Sequence, residues 1–154
     1  MKIITATAVL ALAFITGCTT TPQATGPSKD EIVKKADWSK METVTVELLE
    51  HDFSPKDMKL KANTPYKMIV KNTGDLDHYY TAAEFFKSVA WRKAQTPRPS
   101  GGEIKAPYFT AVEAYKKVGV VELFFVTGKK DKFDVICTIG DHKDKGMFGT
   151  ITVE

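Results

Sequence analysis

The chain predicts an all-β sandwich of about seven or eight short strands with one short helix. Three observations carry that prediction. Apolar and polar residues alternate with period two from Val44 onward, turn residues separate the alternating runs, and one segment breaks the rhythm with good helix formers.

Val44, Val46 and Leu48 alternate with Thr45, Glu47 and Leu49, and Met58 and Leu60 with Lys59 and Lys61. Tyr66, Met68 and Val70 alternate in turn with Lys67, Ile69 and Lys71. Side chains of a strand point to opposite faces in turn, so each run has one face to bury. Further strands are expected over His78 to Ala82, Phe109 to Glu113, Val120 to Val126, Lys132 to Cys137 and Gly149 to Val153. Ser54-Pro55-Lys56-Asp57, Asn63-Thr64-Pro65, Asn72-Thr73-Gly74-Asp75, Val118-Gly119 and Thr127 to Asp131 supply the turns. The Lys129 to Lys132 stretch reads as a solvated hairpin turn. Ala83 to Ala94 places Phe86, Val89 and Ala90 at i, i+3 and i+4 and predicts a helix docked across the sandwich, ended by the loop Thr96 to Gly102.

Length and charge bound the function. A chain of 154 residues with 43% hydrophobic residues builds one core, which excludes a multidomain enzyme. Lys and Arg number 22 against 19 Asp and Glu, a net charge of +3 that argues against a nucleic-acid partner. There is no P-loop, no glycine-rich dinucleotide motif and no HExxH zinc motif.

The N-terminus reads as an address. Met1-Lys2 precedes an apolar stretch from Ile3 to Ile15, too short to span a bilayer, which takes about 20 residues. It closes on Ile15-Thr16-Gly17-Cys18, which resembles the lipobox of bacterial lipoproteins. That resemblance implies a signal peptide over residues 1–17 and acylation of Cys18. Residues 18–42 are expected to be a flexible tether, since Thr19 to Ser28 carries two prolines and no apolar periodicity. The expected location is the bacterial cell envelope, with the body, residues 43–154, lipid-anchored to a membrane and facing the periplasm or another extracytoplasmic space.

Chemistry concentrates near the C-terminus. Cys137, His142 and Met147 fall within eleven residues, and Gly140, Gly146 and the charges between them cannot continue a buried strand. The three side chains therefore share one loop, which can turn them toward a common centre. Thiolate, imidazole and thioether suit soft or borderline ions, and two histidines with a cysteine and a weak axial methionine make a blue-copper electron-transfer site. The second histidine must be His51 or His78. His78 follows Asn72-Thr73-Gly74 at the start of a strand-like run, whereas His51, between Glu50 and Asp52, has no motif and reads as a surface residue.

Cys137-x4-His142-x4-Met147 running into Phe148 to Val153 resembles the metal loop and last strand of cupredoxins. Asn72-x-Gly74-x3-His78 resembles their first-ligand motif, and Phe53-x-Pro55 is a weaker match. The resemblance covers residues 43–154 and implies a Greek-key sandwich holding one type 1 copper ion. His78, Cys137 and His142 would form the ligand plane, Met147 would be the axial ligand, and Asn72 would brace the first-ligand loop. It also implies that His142 lies near the surface as the electron's exit. Gly140-Asp141 stands where many relatives have Pro-Gly, which loosens the loop and sets a carboxylate beside the imidazole. The expected activity is single-electron transfer between envelope redox proteins by a monomer that is not an enzyme. The alternatives are a copper-handling protein for tolerance or delivery, exchanging the ion with donor and acceptor proteins, and a nitrite reductase-like oxidase. The oxidase would need His51 for a second copper.

Overall fold

The computed structural model describes residues 26–97 and 101–154. The expected signal peptide, Cys18 and the first third of the expected tether lie outside them. Among the described residues no helix is long and apolar enough to cross a membrane.

In chain order the elements are α1 (Lys29–Lys35), a 3-10 turn (Trp38–Lys40), β1 (Glu42–Leu49), β2 (Asp52–Ser54), β3 (Asp57–Leu60), β4 (Pro65–Asn72), β5 (His78–Thr81) and α2 (Ala83–Ser88). There follow β6 (Ala90–Gln95), β7 (Glu103–Ile104), β8 (Ala111–Ala114), β9 (Val120–Val126), β10 (Asp131–Ile136) and β11 (Phe148–Val153). Two sheets face each other: β2-β1-β4-β9-β6-β7 and β3-β11-β10-β5-β8. Pairing is parallel between β1 and β4 and between β3 and β11, and antiparallel elsewhere.

The period-two faces fall as predicted. Val46 and Leu48 of β1, Met58 and Leu60 of β3, and Tyr66, Met68 and Val70 of β4 are buried in one core. The rings of Phe85 and Phe86 on α2 plug that core. Phe85 stands edge-on to Phe125 at 5.5 Å and to Phe133 at 5.5 Å, and Phe86 lies 5.4 Å from Trp91. Burying such rings is a large share of what holds the sheets together, at about 1.5–3 kcal/mol per side chain.

Several expectations are corrected. The helix predicted over Ala83 to Ala94 stops at Ser88, and its second half is strand β6. Composition favours helix there, but β9 offers an open edge, and pairing of Trp91 with Phe125 and Ala94 with Leu123 wins. The indole N–H of Trp91 donates to the Phe86 carbonyl at 2.8 Å, folding the strand start back onto the helix. The 96–102 loop consequently joins two strands, closed by Thr96 N–H donating to the Gly102 carbonyl. The Lys129 to Lys132 turn is exposed as expected, but it is a crossover, since β9 and β10 belong to different sheets.

The tether expected over residues 18–42 is structured in its second half. Ser28 and Glu31 form a capping box that starts α1, with Asp30 and Glu31 in its first turn and Lys34 and Lys35 in its last. Half-buried Ile32 and Val33 supply an apolar side. Trp38 donates its indole N–H to the Val33 carbonyl at 3.0 Å, and the Arg92 guanidinium lies 4.5 Å over its ring. These contacts seat α1 against β6.

Candidate metal centre

One end of the sandwich gathers the loops that follow β1, β4, β8 and β10. Register places Leu48 beside Asn72, so β1 and β4 finish together there. Asn72 is fully buried and organises the next turn. Its amide nitrogen donates to the carbonyls of Leu76 at 2.8 Å and Ala114 at 2.7 Å, and its Oδ1 accepts from Gly74 N–H at 2.9 Å. Three bonds from one side chain thus fix the path from Asn72 to His78, the bracing expected of it.

The second loop is closed at its base. Cys137 N–H donates to the Met147 carbonyl, and Met147 N–H donates to the His142 carbonyl, both at 3.0 Å. Gly140 (φ +48°) and Gly146 (φ +106°) take the left-handed conformations at which the chain reverses. Met147 is completely buried.

Within this frame the donor atoms of His78, Cys137 and His142 lie within 4.8 Å of one another. His78 Nδ1 and His142 Nδ1 are 3.3 Å apart although 64 residues separate them in sequence, and Cys137 Sγ is 3.4 Å from His142 Nδ1. Metal–nitrogen bonds of about 2.0 Å at trigonal angles set two nitrogens about 3.5 Å apart, so the spacing suits a bound ion. Chemistry agrees with geometry: one sulfur and two ring nitrogens face inward, and a cation satisfies that crowd better than shared protons do. His78 Nε2 is enclosed with no hydrogen-bond partner, so no protein group draws that ring away from the centre.

His142 is 8% exposed, where His78 is wholly enclosed. Asp141 lies beside it in sequence, but its carboxylate pairs with Lys145 at 3.0 Å and is held below its usual range mainly by that contact. His51 departs from expectation. It is half-buried, and its ring stands edge-on to His142 with centroids 4.9 Å apart, so all three histidines of the chain cluster at this end. Sequence reasoning does not find it, because the contact is made by a turn between two strands and leaves no spacing motif.

Burial holds both His78 and His142 below the ordinary imidazole range; His142 adds to the effect on His78, and His51 to that on His142. Both rings are therefore neutral near pH 7, the state a metal requires. The sign for stability follows. As pH falls below about 6.5 the unfolded chain takes up protons that the folded metal-free chain refuses. Folding stability is full above that pH, declines as pH falls toward the depressed folded values, and levels off below them. Urea unfolding of the metal-free protein should show this decline, and His78→Gln should flatten it. An equal slope in both proteins would show that His78 is not its source.

No protein-family model matches the chain, and no curated protein matches it. Solved structures do. Auracyanin B is 19% identical over 73% of this chain and 88% of its own, with a TM-score of 0.50. Dithionite-reduced auracyanin from the photosynthetic bacterium Roseiflexus castenholzii is 16% identical over 73% and 96%, with a TM-score of 0.51. The copper nitrite reductase of Nitrosomonas europaea, 9% identical, overlaps 83% of this chain but 53% of its own, with a TM-score of 0.55. At such identities the likeness is one of architecture, and the two facing sheets with their clustered loops have a cupredoxin-like fold.

Proposed function

We propose that the chain is a type 1 copper protein that passes single electrons between redox partners of the bacterial cell envelope. His78, Cys137 and His142 would hold the ion, with Met147 as a further donor. The convergence of three buried donor atoms from two separate loops within 4.8 Å is the observation that carries this reading. Copper in such a site supplies a one-electron couple whose potential is set by the axial ligand and by the surroundings of the sulfur.

The chain's part is rigidity and exclusion of water. Cys137, His78 and Met147 are almost wholly buried, and both loops are tied by backbone and Asn72 hydrogen bonds. Donors held this way keep their places when the charge changes, which favours transfer over bond-making chemistry. A second catalytic copper, as an oxidase would need, finds no separate imidazole, since His51 lies against His142.

The envelope reading draws on the Cys18 lipobox and on the place of Pro27 in the body. Pro27 borders a groove with Asn63, Thr64 and Pro65, at the opposite end of β4 from Asn72. Eight residues of strand make that distance about 25 Å. The chain thus enters the body at the end away from the donor atoms, which suits a body tethered from that side.

Voltammetry of the soluble body, residues 26–154, loaded with one equivalent of Cu(II) tests the proposal. A reversible one-electron wave without metal loss is expected. Irreversible cycling, together with rapid copper transfer to a metal-free acceptor, would favour the copper-handling alternative instead.

A further inference from the structure

One element touches both donor loops. The pairing of Leu49 with Asp52 leaves Glu50-His51 as a two-residue turn at the tip of the β1–β2 hairpin. His51 has φ +60°, a left-handed conformation that a turn ordinarily gives to Gly or Asn because a Cβ is crowded there. A histidine kept at a strained position points to work for its side chain. That ring stands at 85° to the ring of His142, and its Nε2 is enclosed with no partner. Glu50 reaches the other loop: its Oε1 accepts from the backbone N–H groups of Asp75 and, at 3.2 Å, Leu76. A Cβ on Gly74 would lie 2.5 Å from that carboxylate oxygen, so the absent side chain of Gly74 makes the cradle. Lys56, in the next turn, pairs with Asp52 at 3.6 Å and donates to the Gly146 carbonyl at 3.2 Å.

We propose that Glu50 and His51 clamp the 72–78 and 137–147 loops into register, and that His51 is a positioning residue shielding the outer edge of His142 from water and from competing ligands. The clamp is a property of the polypeptide, whereas the shielding rests on the copper reading above.

Two measurements on the body, residues 26–154, test it. In the metal-free protein, Glu50→Ala should speed amide hydrogen exchange at Asp75 and Leu76 about tenfold while β4 and β9 stay protected, and Glu50→Gln, which keeps an acceptor, should restore most of the protection. Unchanged exchange at those two amides in Glu50→Ala would overturn the clamp. His51→Gly suits the backbone conformation and should unfold no earlier than the parent. Loaded with copper, it should lose metal to a Cu(I) chelator about tenfold faster, and its visible band should shift with added imidazole where the parent's does not. Parent-like release and no response to imidazole would overturn the shielding. A parent protein without a thiolate band would overturn the shielding together with the copper reading, and the exchange rates would still decide the clamp.

Discussion

Cys137→Ser will fold, and it will lose the intense visible band of the copper-loaded protein. Cys137 is 1% exposed at the end of β10, and serine fits the same space without forcing the Met147 carbonyl from its bond to the Cys137 amide. The new hydroxyl sits near His142 Nδ1, which the sulfur approaches to 3.4 Å, so its burial is compensated and the cost in stability is about 1–2 kcal/mol. The electronic effect is of another order. A hydroxyl stays protonated at neutral pH and offers no soft anionic donor, so sulfur-to-copper charge transfer disappears rather than weakens. Affinity should fall by more than the roughly 10–100-fold that loss of an outer partner costs. Absorption and EPR spectra of both proteins at one equivalent of Cu(II) check this, and a band of equal intensity in the two would remove Cys137 from the site.

The reach of sequence reasoning follows from where each signal is stored. The approach of Cys137 and His142 is legible because one loop carries both, and a loop's spacing is a local property. His78 is legible through Asn72 and Gly74, since the residues that shape a turn lie next to the side chain it presents. The edge of β6 is different. Ala90 to Gln95 has helix-forming composition, and it becomes strand because β9 lies alongside, a fact about a partner some thirty residues away. His51 is more hidden still, since neither periodicity nor neighbours mark it and only the closure of the sandwich brings its ring to His142. α1 lies between these cases. Its capping box, Ser28-x-x-Glu31, is a local signal, but the prolines before it give the segment the composition of a linker.

Asn72→Ala should lower the stability of the metal-free body by about 3–5 kcal/mol, because it removes three hydrogen bonds at a site where water enters poorly. Truncation leaves the Ala114 carbonyl, the Leu76 carbonyl and the Gly74 amide without their partner, and Asn72 itself is fully buried. For a body of this size the loss corresponds to a fall in melting temperature of about 10 °C or more. Asn72→Asp separates the donor from the acceptor part of that role. It keeps an oxygen for the Gly74 amide but turns a second oxygen toward two carbonyls, so it should be no more stable than the alanine variant at pH 7. It should recover only when the carboxyl is protonated and donates again. The same changes reach the metal site through geometry, since the path to His78 is no longer held, and copper affinity should fall by about 10–100-fold with Cys137 and His142 intact. Calorimetry and competitive copper titration measure the two effects separately. An alanine variant melting within 2 °C of the parent would show that the turn is held by its backbone alone, and that Asn72 does not preorganise His78.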